Sequence, residues 1–247
     1  MKYGLQLFSV RDAAEKDYEQ TLKAVAEMGY ILIEPAGFFG HSAEEVKAMA
    51  DRYGLEICST HTGGVLDDAD NIIEYHKKLG CKDIIIPWGD LTSDEAIERF
   101  AERVASIMPK IKEAGMTLHY HNHSAELLPN KDGQIGLYEL MKRTELMFQV
   151  DTFWVYNAGL DPVKFIEKHK DRISIVHLKD GIPPEDKEEN PHANVLRCAL
   201  GEGKAPVAAV RQKAIELGFK MVVESEGLVP TGLEEVKRCI DYLVSLE

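Results

Sequence analysis

The sequence has few cysteines, and none of them has a metal-binding or redox spacing. The four are Cys58, Cys81, Cys198 and Cys239, and no two of them form a Cys-x-x-Cys pair. A zinc ribbon requires closely spaced thiolate ligands, and a thioredoxin-type dithiol requires the Cys-x-x-Cys spacing. The sequence therefore indicates neither class of site, and we expect all four cysteines to be buried thiols.

Basic residues and long apolar runs are also scarce. Lys and Arg number 29 against 42 Asp and Glu, which gives a formal net charge of -13. Nucleic-acid binding needs clustered basic residues, so we expect no nucleic-acid partner. No segment approaches the roughly 18 apolar residues of a membrane helix, and MKYGLQLFSVRD at the start lacks the features of a signal peptide. We expect a cytoplasmic protein with no membrane partner, and the sequence leaves a homo-oligomer open.

One short pattern recurs along the chain: a helical stretch, a glycine, a large apolar residue or cysteine, and a β-rich run. Glycine suits the left-handed backbone just past a helix, and a strand that follows at once is typical of repeated βα units. Five copies make chance an unsatisfactory explanation. They are MGYILIE at Met28, YGLEICS at Tyr53, LGCKDIIIP at Leu79, AGMTLHYH at Ala114 and LGFKMVVE at Leu217.

The repeat predicts a single (β/α)₈ barrel domain over residues 1–247. The segments between the glycines, such as DEAIERFAERVASIMPKIKEA from Asp94, have apolar residues at helical spacing. The competing Rossmann fold lacks GxGxxG after its first strand, and a chain of about 250 residues is typical of one barrel. One long connection, 178–204, contains IPPEDKEENPH and no clear strand. The eight predicted strands are 3–8, 30–34, 55–60, 82–87, 116–121, 146–150, 172–177 and 219–223.

Acidic or imidazole side chains end the last three predicted strands, which are neighbours in the barrel. They are Asp151, His177 and Glu224. Active sites of such barrels lie at the carboxyl ends of the strands, and a carboxylate after an apolar run is costly to bury unless it is paired or metal-bound. We expect the three to bind one divalent ion, Mn²⁺, Co²⁺, Mg²⁺ or Zn²⁺. The alternative is that each one caps a helix or forms an ion pair in a rim loop.

We expect the fourth donor in HYHNHSAE, which spans the end of the fifth strand and the residues that follow it. His119, His121 and His123 alternate there and share one face if the strand continues. We favour Glu126 as the ligand, because a hard oxygen donor matches the other two carboxylates. His121 is the alternative, and for His119 a structural role has equal weight.

Other polar or aromatic residues at strand ends are predicted to contact substrate. Trp88 and Trp154 can stack on a sugar or simply pack at the rim. Lys179 can neutralise an anionic intermediate or be a surface lysine. The predicted substrate-binding residues are Glu34, His61, Trp88, Asn122, His123 and Lys179.

Over nearly its whole length, the chain resembles the sugar phosphate isomerase/epimerase family of xylose isomerase-like barrels. The family holds one divalent ion with a Glu, Asp, His, Glu set, which the resemblance carries onto Asp151, His177 and Glu224. Many members have the first glutamate within strand five, where this chain has His119 or His121, so HNHxxE is a variant form. The segments that carry the resemblance, in order, are GLQLFSVRD, EMGYILIEPAGFFG, YHNHSAEL, VDTFWVYNAGLDP, VHLKD, LGEG and VVESEG.

The resemblance implies metal-dependent isomerisation or epimerisation of a ketose or related sugar through an enediolate. Glu126 or Glu224 would remove the proton and the other would return it, with His121 as the alternative to Glu126. A lyase or dehydratase acting on an inosose or 3-keto sugar shares the first half-reaction. Two further classes stay open, a phosphodiesterase of the endonuclease IV type and a non-catalytic sugar-binding protein. No phosphate cradle is visible, so we expect a substrate without phosphate.

Overall fold

The computed structural model describes residues 1–185 and 195–247. Within those residues, strands and helices alternate along the chain. The strands are β1 Gly4–Gln6, β2 Leu32–Glu34, β3 Glu56–Ile57, β4 Thr60–His61, β5 Asp83–Ile86, β6 Thr117–His121, β7 Met147–Asp151, β8 Ile173–Leu178, β9 Asp180–Ile182, β10 Leu196–Cys198 and β11 Lys220–Val223. The α-helices are α1 Arg11–Ala14, α2 Tyr18–Glu27, α3 Ala43–Arg52, α4 Ala69–Leu79, α5 Asp94–Glu113, α6 Gly136–Arg143, α7 Thr152–Asn157, α8 Pro162–Lys168, α9 Val207–Leu217 and α10 Gly232–Ser245.

Nine of the strands form one parallel sheet in the order β3-β2-β1-β11-β8-β7-β6-β5-β4. Its two ends, β3 and β4, are halves of one barrel strand, because only Cys58 and Ser59 separate them. The first half pairs with β2 and the second with β5, so this interrupted strand joins the two edges of the sheet. The predicted eight-unit barrel is confirmed. None of the helices in the described residues is long and apolar enough to cross a bilayer.

The glycine of each repeat has the backbone conformation that the sequence pattern predicts. All five have positive φ angles between 67 and 105°. At Gly80 and Gly218 the left-handed residue is the one that ends α4 and α9, and the next strand begins within three residues. This short turn returns the chain to the bottom of the barrel each time. The five glycines are Gly29, Gly54, Gly80, Gly115 and Gly218.

Side-chain alternation along the strands separates the lumen into layers. The middle layer is apolar and consists of Leu32, Cys58, Ile85, Ile175 and Val222. Two residues further along three of these strands, the same face carries Glu34, His177 and Glu224. Polar groups are therefore gathered at the carboxyl end, above an apolar floor.

The connection over 178–204 contains secondary structure that the sequence analysis did not predict. The strands β9 and β10 pair antiparallel, with Leu196 opposite Ile182. The carboxylate of Asp180 accepts backbone N–H groups of Gly181, Gly201, Gly203 and Ala205, which ties the returning chain to the end of β8. The strands are three residues each, too short to give a periodic signal. Most of IPPEDKEENPH lies outside the described residues.

The thiols follow the sequence expectation with one exception. Cys58, Cys81 and Cys239 are buried, whereas Cys198 in β10 is half-buried. Burial raises the pKa of the Cys81 and Cys239 thiols to about 12, so these two are protonated at neutral pH. They are packing groups rather than nucleophiles.

An ion-pair cluster lies below the apolar layer, at the amino-terminal end of the barrel. Asp83 accepts from His119 Nε2 at 2.9 Å and from Lys220 Nζ at 2.7 Å. Lys220 also donates to the Cys58 carbonyl at 3.2 Å. Burial alone would raise the pKa of Asp83, but the hydrogen bonds from His119 and Lys220 outweigh it and lower that pKa. His119 is therefore a structural residue in this cluster, one lumen layer below His121.

We expect Asp83→Asn to lower the free energy of unfolding at pH 7 by about 1–2 kcal/mol, because it removes two charge-assisted hydrogen bonds. Since the folded-state pKa of Asp83 is lowered, its stabilisation is complete above the unfolded pKa of about 4 and is lost as the pH falls through the folded value. Urea unfolding from pH 7 to pH 3 measures the difference. Asp70→Asn, which breaks the exposed pair with Lys110, is the control. If the difference in unfolding free energy between wild type and Asp83→Asn does not shrink as the pH falls to 3, this account is wrong.

Candidate metal centre

Asp151, His177 and Glu224 come together at the carboxyl end of the barrel. They stand at the ends of β7, β8 and β11, and these strands are adjacent in the sheet. With His121 from β6 they form a group in which one donor atom of each lies within 4.8 Å of those of the others. All four side chains are buried. Four neighbouring strands therefore supply two carboxylates and two imidazoles to one point.

The structure does not bring Glu126 into this group. Strand β6 ends at His121, and Glu126 lies in a short 3-10 turn, Ala125–Leu127. Its Oε1 accepts from the Tyr120 hydroxyl at 3.0 Å, and its Oε2 accepts from the His123 backbone N–H at 3.1 Å. The His123 ring is 3.6 Å from Oε1. This carboxylate is thus directed to His123, and the residue of the predicted fifth strand that lies with the other three is His121, within β6.

Asp151 uses its two oxygens for different purposes. It is the N-cap of α7, where Oδ1 accepts from the backbone N–H groups of Phe153 at 2.9 Å and Trp154 at 3.1 Å. Oδ2 is buried and accepts no hydrogen bond from the described residues. Burial raises the pKa of Asp151 to about 7. A buried carboxylate oxygen without a donor is costly, and a cation is the partner that suits it. The roles of helix cap and ligand are therefore compatible in one side chain.

His177 lies between two carboxylates. Nδ1 is 3.0 Å from Glu224 Oε2, and Nε2 is 2.8 Å from Glu34 Oε1. Burial would lower the pKa of His177, but the two carboxylates outweigh it and raise the pKa to about 10. Glu34 lies behind the imidazole, is fully buried and also accepts from the Ser59 hydroxyl. A metal ion at Nδ1 would displace the proton shared with Glu224 and leave Nε2–H on Glu34, the arrangement that orients metal-bound histidines.

Gln149 is a residue of this site that the sequence did not reveal. Its Oε1 accepts from His121 Nδ1 at 3.0 Å and from His61 Nε2 at 2.7 Å, while its NH₂ donates to Glu34. These contacts assign the His121 proton to Nδ1 and leave the Nε2 lone pair facing Glu224, 3.9 Å away. Burial keeps the pKa of His121 well below its usual value, so the ring is neutral and can bind a metal. The available signal was a polar residue inside the apolar run MFQV, on the same face as Asp151.

Lys179 is a buried cation at the edge of the group. Its Nζ is 2.8 Å from Glu226 Oε2, 3.4 Å from Glu224 Oε2 and 3.7 Å from Asp151 Oδ2. It also lies over the Trp154 ring, 4.9 Å from the centroid. Burial would raise the pKa of Glu224, but Lys179 and His177 outweigh it and hold that pKa well below its usual value.

The remaining predicted residues have different positions. His61 stacks on His177, with centroids 5.5 Å apart, and His123 is 32% exposed beside His121, with centroids 5.0 Å apart. Asn122 is buried and is bonded to the backbone of Asp151, accepting its N–H at 3.1 Å. Trp88 is 68% exposed on the loop after β5. His61, His123 and Lys179 thus border the group, Glu34 and Asn122 support it from behind, and Trp88 is a surface side chain.

The donor set fits a divalent ion. It contains two carboxylates and two imidazoles and no thiolate, with one carboxylate oxygen lacking a donor among the described residues. Histidine bound on one nitrogen and hydrogen-bonded on the other is the usual form in such centres. His121, Asp151, His177 and Glu224 could therefore hold a metal ion.

The fold and the site together define a class of protein. It is a parallel α/β barrel with buried carboxylate and imidazole side chains at its carboxyl end. Residues 22–243 match the model of the xylose isomerase-like TIM barrel family. The chain belongs to that family, and the related proteins with named activities are enzymes.

Relatives of known name span several reactions. The chain is 27% identical to an inosose dehydratase of Geobacillus kaustophilus over 66% of this chain and 61% of that protein. It is 23% identical to a 2-oxo-tetronate isomerase of Haemophilus influenzae over 71% of this chain and 80% of that protein. The chain therefore matches only about three fifths of the length of the dehydratase.

Solved structures agree on the fold. A sugar phosphate isomerase/epimerase from Parabacteroides distasonis superposes with a TM-score of 0.85 at 25% identity, covering 99% of this chain and 98% of that one. A 3-keto-D-glucoside 4-epimerase from E. coli superposes at 0.73 with 15% identity, covering 99% of each chain, which shows the fold alone.

We expect Asp151→Asn and His121→Ala to weaken metal binding by about 100-fold or more, because each removes a donor from the buried group. Glu126→Gln should keep wild-type metal content, since that carboxylate is bonded to His123 and Tyr120. Elemental analysis and calorimetric titration with Mn²⁺ and Zn²⁺ measure both effects. His119→Ala, one layer lower in the lumen, is the matched control for His121→Ala. Loss of the ion in Glu126→Gln and its retention in His121→Ala would reverse the assignment.

Proposed function

We propose that this protein is a divalent-metal-dependent sugar isomerase or epimerase that moves a proton on the carbon next to the carbonyl of a ketose. The observation that carries the proposal is the buried convergence of His121, Asp151, His177 and Glu224, with Asp151 Oδ2 lacking a donor in the described residues. Asp151 caps a helix and His177 pairs with Glu224, but these roles alone leave Asp151 Oδ2 without a hydrogen-bond donor among the described residues. Enzymes of this family, by their names, include isomerases and epimerases.

These four side chains are the proposed ligands of one ion. Two imidazoles among four donors favour Mn²⁺, Co²⁺ or Zn²⁺ over Mg²⁺, which prefers oxygen ligands. When bound, such an ion supplies Lewis-acid polarisation of a carbonyl and its neighbouring hydroxyl, which acidifies the C–H bond between them.

Two candidate proton carriers flank the group along the sheet. Glu224 follows β11 and His123 follows β6, with β8 and β7 between them. A proton taken from one face of the substrate carbon by one of them can be returned to the other face by its counterpart, as an epimerisation requires. Glu126 accepts the His123 backbone N–H and lies 3.6 Å from its ring. Glu126 is thus a positioning residue that acts through His123.

The rim favours a substrate without phosphate. Lys179, the buried cation at the site, is already paired with Glu224, Glu226 and Asp151. Arg197 is in turn held by Glu226 at 3.0 Å. A phosphate would have to displace these carboxylates, whereas the hydroxyls of a neutral sugar can bond to His61 and His123 at low cost.

Dehydration of an inosose or 3-keto sugar is a second candidate. The contact between His123 and Glu126 sets a proton donor at the rim, where it can protonate a leaving hydroxyl. In that reaction the proton leaves the carbon next to the carbonyl, the C–O bond of the neighbouring carbon breaks, and the hydroxyl departs as water with the proton of His123. The first half-reaction is the same as in the isomerase, and the 27% identical relative is named as an inosose dehydratase.

We expect the metal-loaded protein to introduce solvent deuterium next to the carbonyl of at least one neutral ketose or inosose in D₂O. Proton NMR of a substrate panel measures this exchange. Formation of an epimer or isomer would indicate the first reaction, and formation of an unsaturated product would indicate dehydration. Phosphorylated ketoses should react at least about tenfold more slowly, because the carboxylates at the rim repel them. No exchange with any member of the panel would count against both reactions, as would equal exchange in Asp151→Asn.

We expect His123→Gln to reduce the exchange rate by about 10²–10⁴, the range for loss of a general acid or base. Glu126→Gln should reduce it less, since the imidazole remains and only its orientation is lost. Neither substitution should change metal content. Trp88→Ala, an exposed residue of the same rim, is the control. Unchanged exchange in His123→Gln would assign the proton transfer elsewhere.

A further inference from the structure

Lys179 contacts the oxygens that are proposed to bind the metal. Its ammonium is 3.4 Å from Glu224 Oε2 and 3.7 Å from Asp151 Oδ2, and its side chain is 2% exposed. Lys179 lies two residues after His177, so both project from the same face of the chain at the end of β8. The sequence HLKD therefore supplies a proposed ligand and a fixed positive charge to the same group of carboxylates.

A divalent ion and this ammonium attract the same donors. Asp151 Oδ2 accepts no hydrogen bond in the described residues, and the Lys179 ammonium lies close to it. Two cations that contact the same oxygens repel each other strongly where water is excluded. The ammonium therefore cannot remain as close to these oxygens once an ion is bound.

Glu226 offers the ammonium a separate partner. Its Oε2 is 2.8 Å from Lys179 Nζ and 3.0 Å from Arg197 Nε. Glu226 follows Glu224 by two residues and lies further out, with its side chain 18% exposed. A small movement of Lys179 would exchange the contacts with Glu224 and Asp151 for the contact with Glu226 alone.

We propose that Lys179 is an internal competitor of the metal ion, which lowers the affinity of the site and selects divalent over monovalent cations. The inference rests on the proposed metal-dependent function. A monovalent ion gains nothing by replacing an ammonium of equal charge, whereas a divalent ion gains about twice the attraction to the same carboxylates. Lys179 is thus a specificity-determining residue of the site.

The test is calorimetric titration of Mn²⁺ into metal-free wild type and Lys179→Met at about pH 8, with Na⁺ or K⁺ as the competing salt. We expect the variant to bind Mn²⁺ about tenfold or more tightly, because a contacting unit charge is removed. Binding to the variant should also become sensitive to Na⁺. The matched control is Lys220→Met, which removes a strand lysine paired with Asp83 at the other end of the barrel and should leave the affinity unchanged.

A double-mutant cycle of Lys179→Gln with Glu226→Gln keeps the inference falsifiable if Lys179→Met folds poorly, because Gln removes the charge and keeps a polar side chain at this position. Removing Glu226 returns the ammonium to the ligand carboxylates, so Glu226→Gln should weaken Mn²⁺ binding more in the presence of Lys179 than in its absence. Equal or weaker binding by Lys179→Met, or additive effects in the cycle, would overturn the role of Lys179 while leaving the metal centre intact. Failure of the wild type and all variants to bind Mn²⁺ or Zn²⁺ would overturn the proposed function itself.

Discussion

The compensation of buried negative charge is the constraint on which this site depends. Glu34, Asp151 and Glu224 are all buried at one end of a barrel whose next layer is apolar. Each would be costly there without a partner. His177 lies between Glu34 and Glu224, Lys179 lies near Glu224 and Asp151, and Gln149 connects Glu34 to two further imidazoles. The positions of the histidines and the lysine follow from this requirement, and so does the fit of the group to a divalent cation.

Much of the fold could be predicted from sequence because its signals are local. A glycine after five of the helices, followed directly by a β-rich run, marks a βα unit without any knowledge of the tertiary structure. The strand ends that carry Asp151, His177 and Glu224 could also be located, since β7, β8 and β11 are regular there. The direction of side chains beyond a strand end could not. Glu126 lies in a 3-10 turn that follows β6, where alternation no longer applies, and the role of Gln149 depends on a residue 115 positions away in sequence.

The barrel and its rim contribute differently to the chemistry. The sequence relatives named as a dehydratase and an isomerase, and the solved barrel named as an epimerase, carry names of different reactions, so the fold alone does not decide which product forms. Proton removal next to a carbonyl is common to all three reactions. In the reaction proposed for this chain, the side chains assigned to the second proton or the leaving hydroxyl are His123 and Glu126, on a turn outside the barrel strands. On this proposal, the choice between the two products lies with residues of the rim rather than of the lumen.

The hydrogen bond between Glu34 and His177 joins two parts of the chain that are 143 residues apart. Glu34, His61 and His121 come from the first half of the sequence, whereas Asp151, His177 and Glu224 come from the second. A fragment of the first half would therefore carry two imidazoles and one carboxylate, and a fragment of the second half would carry three of the four proposed ligands. Neither half would hold all four donors. The proposed activity therefore requires the closed barrel. A half-barrel polypeptide would need the other half, fused to it or bound as a separate subunit, to complete the ligand set.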